Sequence, residues 1–381
     1  MKFALVTETF PPEINGVSMT LERLVDGLHQ RGARIEVVAP HRRDRKDKPR
    51  FADVFRSVRG LPIPRYPDLR FGLPAFRQLR RAWKADPPEL LHIATEGPLG
   101  WSALRVAKKL NLTVVSSFHT NFHSYGRHYG YGFLTRGVLA WLRYCHNRTS
   151  RTFVPSEDLL QKLQEEGFRN LRVFSRGVDT DLFGPHRRDE GLRLRWGADR
   201  ETPVALYVGR LAAEKNIELC LEATRRMRER IPDLCVVLVG DGPERRRLAD
   251  KFPEIHFAGM RTGQDLARHY ASADCFLFAS ITETFGNVVT EAMASGLPVL
   301  AYDYAAPGRF IRSGENGLLA TYDDREAFLR SAGEFAALRS RWREMGEASR
   351  ETISPHAWSR VIETYYKECL RLLPTQPVPS P

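Results

Sequence analysis

Long apolar runs are missing from this sequence of 381 residues. The apolar stretch at its start ends within six residues and is followed by Glu8, so it is too short for a signal peptide or for a membrane-spanning helix of about 20 residues. Cysteine is also scarce, with five residues in the chain. Their spacing indicates neither disulfide pairs nor a zinc site. We therefore expect a cytoplasmic protein from a reducing compartment.

Two well-known phosphate-binding motifs are absent as well. The chain has no Gly-x-Gly-x-x-Gly fingerprint, which argues against a nicotinamide or flavin enzyme, and no Gly-x₄-Gly-Lys-Ser/Thr loop. No short internal repeat occurs either, which argues against solenoids and propellers. Any nucleotide site must therefore use another arrangement.

Acidic residues are missing from position 97 to position 156, a stretch that holds eight lysines and arginines. The first 184 residues carry 30 basic against 18 acidic residues, whereas the remainder carries 28 of each, so the net charge of +12 lies in the first part. A one-sided basic field indicates an anionic partner such as a membrane surface, a charged acceptor or nucleic acid. The alternative is a solvated basic face without a partner.

The order of predicted elements indicates an α/β protein. A buried strand at 2–7, a helix with apolar residues at 17–28 and a strand at 34–39 form a βαβ unit, and the same alternation begins again at Pro203. We expect two Rossmann-like domains with parallel sheets, residues 1–184 and 185–354. A helix at about 355–373 is expected to pack back on the first domain, and the Pro-rich tail 374–381 to be disordered.

Candidate binding residues follow the predicted strands of the second domain, where ligands of such sheets bind. Gly209 ends one strand and is followed by Arg210 and Lys215, two cations that could hold a diphosphate. Gly240 and Asp241 follow the next strand. The alternative for the two cations is an ordinary surface position near a helix start, which the helix dipole disfavours.

Glu283 and Glu291, eight positions apart, flank a predicted helix start near Gly286. The backbone amides at Phe285, Gly286, Asn287 and Val288 could bind phosphate, since a helix N-terminus offers free N–H groups and partial positive charge. The two carboxylates suit hydroxyls of a ribose or hexose. Separately, each could instead be a capping acid or an exposed helix glutamate.

The first domain offers three weaker signals. Gly16 precedes a helix and lets backbone approach a ligand closely, and His119 ends a predicted strand, where it could bond a sugar hydroxyl. Residues 71–84 form an amphipathic cationic segment that could lie on an anionic bilayer. The alternative for that segment is a helix that faces the core and exposes a basic side.

Taken together and in this order, these motifs resemble the family 4 glycosyltransferases, which are retaining enzymes with the GT-B fold of two Rossmann-like domains facing across a cleft. The resemblance implies that the C-terminal domain binds a nucleotide sugar and the N-terminal domain the acceptor. It implies that Arg210, Lys215 and the amides of 285–288 stabilise the leaving diphosphate. Glu291 would hold the ribose, while Glu283 and His119 would contact the donor sugar. No metal and no cofactor beyond the donor are implied.

Within the family, the chain resembles bacterial α-mannosyltransferases that use GDP-mannose, including phosphatidylinositol mannosyltransferase-like enzymes. The segment 118–131 also resembles enzymes that glycosylate diacylglycerol. We therefore expect transfer of a hexose, with mannose from GDP-mannose favoured, to a lipid-linked or glycan acceptor at the cytoplasmic face of a membrane. Alternatives are a UDP-glucose or UDP-hexose glycolipid transferase, a UDP-sugar epimerase of GT-B fold, and a nucleic-acid-binding protein, for which no reader motif is present.

Overall fold

The computed structural model describes residues 1–11, 13, 16–41, 52–63, 66–118, 132–283 and 285–374. The chain divides into two compact units, the first made of Met1–Arg176 with Trp358–Pro381 and the second of Gly177–Ala357. The division therefore falls after Arg176 rather than after Gly184. The reason is that Val178 already belongs to the second unit, where its N–H donates to the carbonyl of His356 at 2.9 Å.

The first unit is built on a seven-stranded parallel sheet in the order β3-β2-β1-β6-β7-β8-β9. Its strands are β1 Lys2–Val6, β2 Arg34–Pro40, β3 Val54–Val58, β6 Leu90–Ile93, β7 Thr113–Ser117, β8 Arg151–Val154 and β9 Leu171–Val173, with a separate antiparallel hairpin of β4 Gly60–Ile63 and β5 Tyr66–Gly72. Its helices are α1 Gly16–Gln30, α2 Phe76–Ala85, α3 Pro98–Leu110, α4 Gly132–His146, α5 Glu157–Glu165 and α14 Trp358–Leu372.

Different helices pack on the two faces of this sheet, as the alternation of side chains along β1 shows. Phe3 and Leu5 pack with α1 and α14, whereas Ala4 and Val6 pack with α2 and α3 on the opposite face. Successive side chains of a strand point to opposite faces, and both faces are covered here, so the strand is apolar from Phe3 to Val6.

Helix α2 resolves the two interpretations of the amphipathic cationic segment. Leu79 and Trp83 are fully buried, and the indole Nε1 of Trp83 donates to Glu36 Oε2 at 3.3 Å. The apolar side of α2 is therefore part of the core, as in the core-facing alternative, so this helix cannot insert Leu79 and Trp83 into a bilayer. The exposed side is basic and consists of Arg77, Arg80, Arg81 and Lys84.

The second unit is a six-stranded parallel sheet in the order β12-β11-β10-β13-β14-β15. Its strands are β10 Val204–Val208, β11 Cys235–Val239, β12 His256–Gly259, β13 Cys275–Phe278, β14 Val299–Tyr302 and β15 Gly317–Ala320. Its helices are α6 Glu190–Arg195, α7 Ile217–Arg228, α8 Arg245–Lys251, α9 Gly263–Ala271, α10 Asn287–Ala294, α11 Ala305–Phe310, α12 Arg325–Ala337 and α13 Trp342–Ile353.

The strand order of the second unit fixes where a ligand can bind. The chain proceeds from β10 outward through β11 and β12, and then from β13 outward through β14 and β15, so the direction reverses between the neighbours β10 and β13. Crevices at such reversal points, at the carboxyl ends of the strands, are where ligands of doubly wound sheets bind.

Helix length bears on membrane insertion. Among the described residues the longest helices, α1, α4 and α14, have 15 residues each, whereas a span needs about 20. No helix in that part of the chain is long and apolar enough to cross a bilayer.

Helix α14 returns from the end of the chain to complete the first unit. Ile362 packs where a side chain on Gly27 would stand, since a Cβ there would lie 2.3 Å from Ile362 Cδ1. Tyr365 is buried, and its hydroxyl lies 3.0 Å from Nδ1 of the buried His92. The helix therefore contributes core, not only surface, to this unit.

We expect Tyr365→Ala to destabilise the protein by about 3–5 kcal/mol, because it removes a buried aromatic ring and leaves a cavity. Tyr365→Phe keeps the ring and loses only the hydrogen bonds of the hydroxyl with His92 and Cys369, which cost about 1 kcal/mol each. Urea unfolding followed by circular dichroism measures both. Equal costs for the two variants would contradict the assignment of the ring to the core.

Candidate active site

The loops after β10 and β11 meet next to the reversal point of the second sheet because glycines let their backbones touch. Gly209 has a φ of 157° and its N–H donates to Val239 O at 3.0 Å. A Cβ on Gly240 would lie 1.9 Å from Gly209 O, and one on Gly242 would lie 2.3 Å from Leu211 O. Any side chain at these two positions would push the loops after β10 and β11 apart.

Asp241 takes part in the same loop packing. Its carbonyl accepts the N–H of Leu211 at 2.9 Å, its Oδ1 accepts the N–H of Gly242 at 2.7 Å, and its Oδ2 lies 3.3 Å from Arg245 Nη1. In the structure, Gly240 and Asp241 therefore build the loop on which the neighbouring candidate residues rest.

Lys215 and Glu283, which lie 68 positions apart, form an ion pair of 2.6 Å between Nζ and Oε1. Lys215 Nζ also donates to the carbonyl of Thr282 at 3.1 Å. Both side chains are largely buried, with 20% and 15% of their surface exposed. The structure thus brings together two residues that sequence analysis named separately.

Arg210 lies beside this pair in sequence but is much more open. Its side chain is 68% exposed, and the guanidinium is only weakly paired, with Nη1 3.9 Å from Glu214 Oε1. A planar guanidinium held this loosely retains donors for an incoming anion.

Helix α10 begins at Asn287, directly after Gly286, whose φ is 94°. No side chain of the described residues caps this helix start, and Thr284 lies outside them. Phe285 is buried against Phe310, and its carbonyl accepts the N–H of Ala306 at 2.8 Å. Asn287 is exposed and Val288 half-buried, so the first turn of α10 borders solvent.

Glu291 lies one turn into α10. Its Oε2 accepts the hydroxyl of Tyr270 at 3.0 Å. Burial raises the pKa of this half-buried carboxyl to about 7, although the hydrogen bond from Tyr270 acts in the opposite direction. Near neutral pH the group can therefore accept hydrogen bonds as a carboxylate or donate one as an acid.

Two tyrosines that sequence analysis missed hold the loop around Glu283. The hydroxyl of Tyr304 donates to Glu283 O at 3.1 Å, and that of Tyr322 donates to Ile281 O at 2.8 Å; their ring centroids are 4.8 Å apart. Both follow strands, β14 and β15, so the rule that singled out Arg210 and Glu283 could have found them. No sequence signal would have identified Tyr270 on α9.

In the first unit, His119 lies outside the described residues. Gly16 begins α1, and a Cβ on it would lie 2.8 Å from Nη2 of Arg176. The space that a side chain at position 16 would need is therefore occupied by the Arg176 guanidinium. Burial lowers the pKa of Arg176.

A buried polar network of the first unit also escaped sequence analysis. Glu96 Oε1 lies 2.8 Å from Nε2 of the fully buried His146, whose Nδ1 lies 2.8 Å from Ser116 Oγ. The ring of His146 packs on Phe118, with the centroids 5.4 Å apart. Close by, burial and the charge of Glu96 raise the pKa of Glu8 to about 7. This network fixes the carboxyl end of β7.

Among the described residues, no three His, Cys, Asp or Glu side chains are grouped so that they could hold a metal ion. Asp179 and Asp181 have the Asp-x-Asp spacing of many metal-dependent transferases. Asp179 Oδ1, however, accepts the N–H of Leu182 at 2.9 Å, which stabilises a turn.

Comparison with known proteins gives the family. Residues 14–182 match the sequence profile described as Glycosyltransferase Family 4, and residues 202–336 match that of Glycosyl transferases group 1. A GDP-mannose-dependent alpha-mannosyltransferase of Mycobacterium tuberculosis is 34% identical over 368 residues, which cover 95% of this chain and 94% of that one. The chain belongs to the family 4 glycosyltransferases. The expected family and enzyme class are thereby confirmed.

Two further proteins resemble this glycosyltransferase. An alpha-monoglucosyldiacylglycerol synthase of Acholeplasma laidlawii is 28% identical over 347 residues, 84% of each chain. Among solved structures, Anabaena HepE in complex with UDP has a TM-score of 0.74 and 18% identity, covering 98% of this chain and 100% of that one. The expected α/β fold with two Rossmann-like halves of GT-B type is thereby confirmed.

We expect Lys215→Met to destabilise this glycosyltransferase more than the double variant Lys215→Met/Glu283→Gln. The single change leaves a largely buried carboxylate without its cation, whereas the double change removes both charges. The coupling energy should be about 1–3 kcal/mol in a double-mutant cycle of urea unfolding. A coupling near zero would mean that the ion pair does not persist in solution.

We expect Glu291→Gln to stabilise the protein at pH 8 but not at pH 4.5. Native Glu291 keeps its proton up to about pH 7, whereas an unfolded glutamate loses it near 4.5, so the parent loses stability as pH rises through this window. The glutamine variant avoids that loss, which is at most ~3 kcal/mol. The free energy of urea unfolding, measured at both pH values, tests this, and a gain that does not depend on pH would contradict it.

Proposed function

We propose that this glycosyltransferase transfers mannose from GDP-mannose to a lipid-linked or glycan acceptor with retention of configuration. The observation that carries the proposal is the Lys215–Glu283 pair, in which Glu283 lies in the segment leading to the helix start at Gly286 and Lys215 comes from the loop after β10. Cation, carboxylate and N-terminal amides are the groups that a diphosphate and a sugar require. The relative at 34% identity is named for GDP-mannose and an alpha linkage.

In this proposal the donor diphosphate binds at the start of α10, on the N–H groups of residues 285–288. Partial positive charge at a helix N-terminus favours such binding. Arg210, which is exposed, turns its guanidinium to the diphosphate, and Lys215 contributes a second cation. Negative charge grows on the diphosphate as it leaves, so these fixed groups lower the barrier directly.

Donor binding would also redistribute the charges within the site. Lys215 now neutralises Glu283, and a diphosphate would take over part of that role, which frees Glu283 to accept hydroxyls of the donor sugar. Glu291, oriented by Tyr270, would accept the ribose hydroxyls. His119 would contact the donor sugar from the acceptor domain.

Retention would follow from attack on the face from which the diphosphate leaves, with the leaving phosphate as the base. The relative that is named as an alpha-mannosyltransferase supports an alpha product. We propose that no metal ion and no cofactor beyond the donor take part, since Arg210, Lys215 and α10 already supply positive charge where the diphosphate would sit.

For the acceptor we propose a lipid presented on an anionic membrane at the cytoplasmic face, with a soluble glycan as the other possibility. The basic charge of the first 184 residues supports an anionic surface as partner and, without a reader motif, not nucleic acid. The synthase relative is named for diacylglycerol.

That relative also supports a second candidate, a UDP-glucose or other UDP-hexose glycolipid transferase. The site residues described above are assigned to the diphosphate and the sugar of the donor. None of them is assigned to the nucleotide base, so GDP-mannose and a UDP-hexose both fit this set of residues. A UDP-sugar epimerase is less well supported, because an epimerase needs no separate acceptor surface.

We expect GDP to raise the melting temperature of the protein more than UDP or ADP. A ligand at 100 times its Kd stabilises by about 2.7 kcal/mol. We also expect radiolabelled mannose to pass from GDP-mannose into a lipid extract. A larger shift with UDP, together with glucose transfer from UDP-glucose, would favour the second candidate, and no shift with any nucleotide would contradict both.

We expect Lys215→Ala and Glu291→Ala each to lower kcat/KM at least 100-fold, because each removes a group that touches the donor. Arg343→Ala is the matched control, since that side chain is 93% exposed and lies on α13. Turnover that survives either site change would show that the donor residues are assigned wrongly.

A further inference from the structure

On one face of the first sheet three helices, α2, α3 and α4, contain no acidic residue, whereas α5 on the same face carries Glu157, Asp158 and Glu165. Helices α2, α3 and α4 together carry nine lysines and arginines and not one aspartate or glutamate. The helices on the opposite face, α1 and α14, carry four acidic residues. Basic charge is therefore concentrated on α2, α3 and α4, whose exposed side we call the α2–α4 face.

Three aromatic rings form a cluster on this face. The ring centroids of Trp101 on α3 and Trp141 on α4 are 5.0 Å apart, and Tyr144 lies 5.6 Å from the first and 6.0 Å from the second. Trp141 and Tyr144 are each 40% exposed, and Val138, one turn before Trp141, is 46% exposed. We call these four residues the aromatic cluster.

The aromatic cluster does not include the side of α4 that packs in the core. Leu142 and Cys145 already bury the inner side of the helix. Trp141 is nevertheless held in place, since its Nε1 donates to Glu96 O at 3.3 Å. It is the most exposed of the six tryptophans of the chain. An exposed, positioned group of large apolar side chains marks an interaction site.

Cations border the cluster. The guanidinium carbon of Arg148 lies 3.3 Å from the ring centroid of Tyr144. Arg105, one turn after Trp101, and Lys109 stack on the Phe76 ring of α2 at 5.2 and 5.4 Å. These contacts still leave Arg105, Lys109 and their neighbour Lys108 exposed.

We propose that the aromatic cluster inserts into the headgroup region of an anionic bilayer and that the surrounding cations of the α2–α4 face select acidic lipids. Tryptophan and tyrosine favour the membrane interface, where an apolar ring and a polar N–H or O–H are both satisfied. The inference deepens the proposed function, because it rests on a lipid acceptor and names the surface that meets the lipid.

Charge argues against a second copy of the chain as the occupant. A twofold symmetric contact would bring the α2–α4 face of both copies together, and α2, α3 and α4 have no acidic residue to pair with the cations of the other copy. An acidic lipid surface, in contrast, complements the face over its whole area. Helix α2 alone could not insert apolar side chains, since Leu79 and Trp83 are buried in the core.

The test uses the full chain and vesicles of phosphatidylcholine, with or without phosphatidylglycerol as the acidic lipid. We expect binding only to the acidic vesicles, a blue shift of tryptophan emission, and quenching by lipids brominated near the headgroup. Absence of binding, or binding without a spectral change, would overturn the proposal. This measurement does not depend on the folding of any variant.

Variants locate the surface. Trp141→Ala/Tyr144→Ala and, separately, Val138→Asp should weaken vesicle binding at least tenfold. Leu194→Ala and Met260→Ala, which truncate exposed apolar side chains of the second unit, should not. If the cluster variants bind as tightly as the parent, the cluster is not the docking surface. If they instead dissociate a dimer seen by light scattering, the cluster is a contact between copies, which also overturns the proposal.

Charge variants test lipid selection. Arg105→Gln/Lys108→Gln/Lys109→Gln should weaken binding by about fivefold for each cation removed, which corresponds to ~1 kcal/mol each. Arg246→Gln/Arg330→Gln/Arg343→Gln, which remove three exposed cations of the second unit, should leave binding unchanged. Equal losses in both triple variants would mean that net charge, rather than this face, attracts the lipid.

Vesicle binding is measured without donor, so its outcome is independent of the transfer reaction. Suppose that vesicle binding requires the aromatic cluster but the protein transfers no sugar to any lipid. This result would support the docking surface and contradict the proposed function. Transfer of sugar to a detergent-dispersed lipid, by a protein that does not bind vesicles, would support the proposed function and contradict the docking surface. In the cluster variants, the thermal shift with GDP should equal that of the parent.

Discussion

Contact between the backbones of the loops after β10 and β11, next to the reversal point of the second sheet, is the constraint on which the candidate active site depends. Gly240 and Gly242 let the loop after β11 touch the loop after β10, and Leu211 and Asp241 close it with a hydrogen bond. The loop after β10 then carries Arg210 and Lys215 at a fixed place. Side chains at these glycines would separate the loops and displace both cations.

The site keeps its charges balanced without a ligand. Lys215 neutralises Glu283, and burial keeps Glu291 partly protonated near neutral pH, so neither carboxylate is left as an isolated buried charge. An incoming diphosphate and its sugar can exchange with these internal partners. In the proposed chemistry the charged groups already present in the site therefore exchange partners, and no isolated buried charge is created. Tyr304 and Tyr322 hold the loop that carries Glu283.

Periodicity and punctuation in the sequence predicted β1, β2 and β7 of the first sheet and β10 to β14 of the second within one or two residues, because buried parallel strands are largely apolar and end at glycines or polar loops. The strands β3, β6, β8, β9 and β15 were not predicted. The same rule found Arg210, Lys215, Glu283 and Glu291. It could not show that Lys215 and Glu283 pair, or that α2 turns its apolar side inward, since both depend on tertiary packing. The aromatic cluster was missed for the same reason, as Trp101 and Trp141 lie 40 positions apart.

Hydrogen exchange of the full chain, followed by mass spectrometry with and without saturating GDP-mannose, tests the central claim that the donor binds at the reversal point of the second sheet. The account predicts slower exchange in residues 209–216 and 285–291, where the loop after β10 and the start of α10 would meet the diphosphate. It predicts no change in α2. Protection confined to other segments, with these two unchanged, would contradict it.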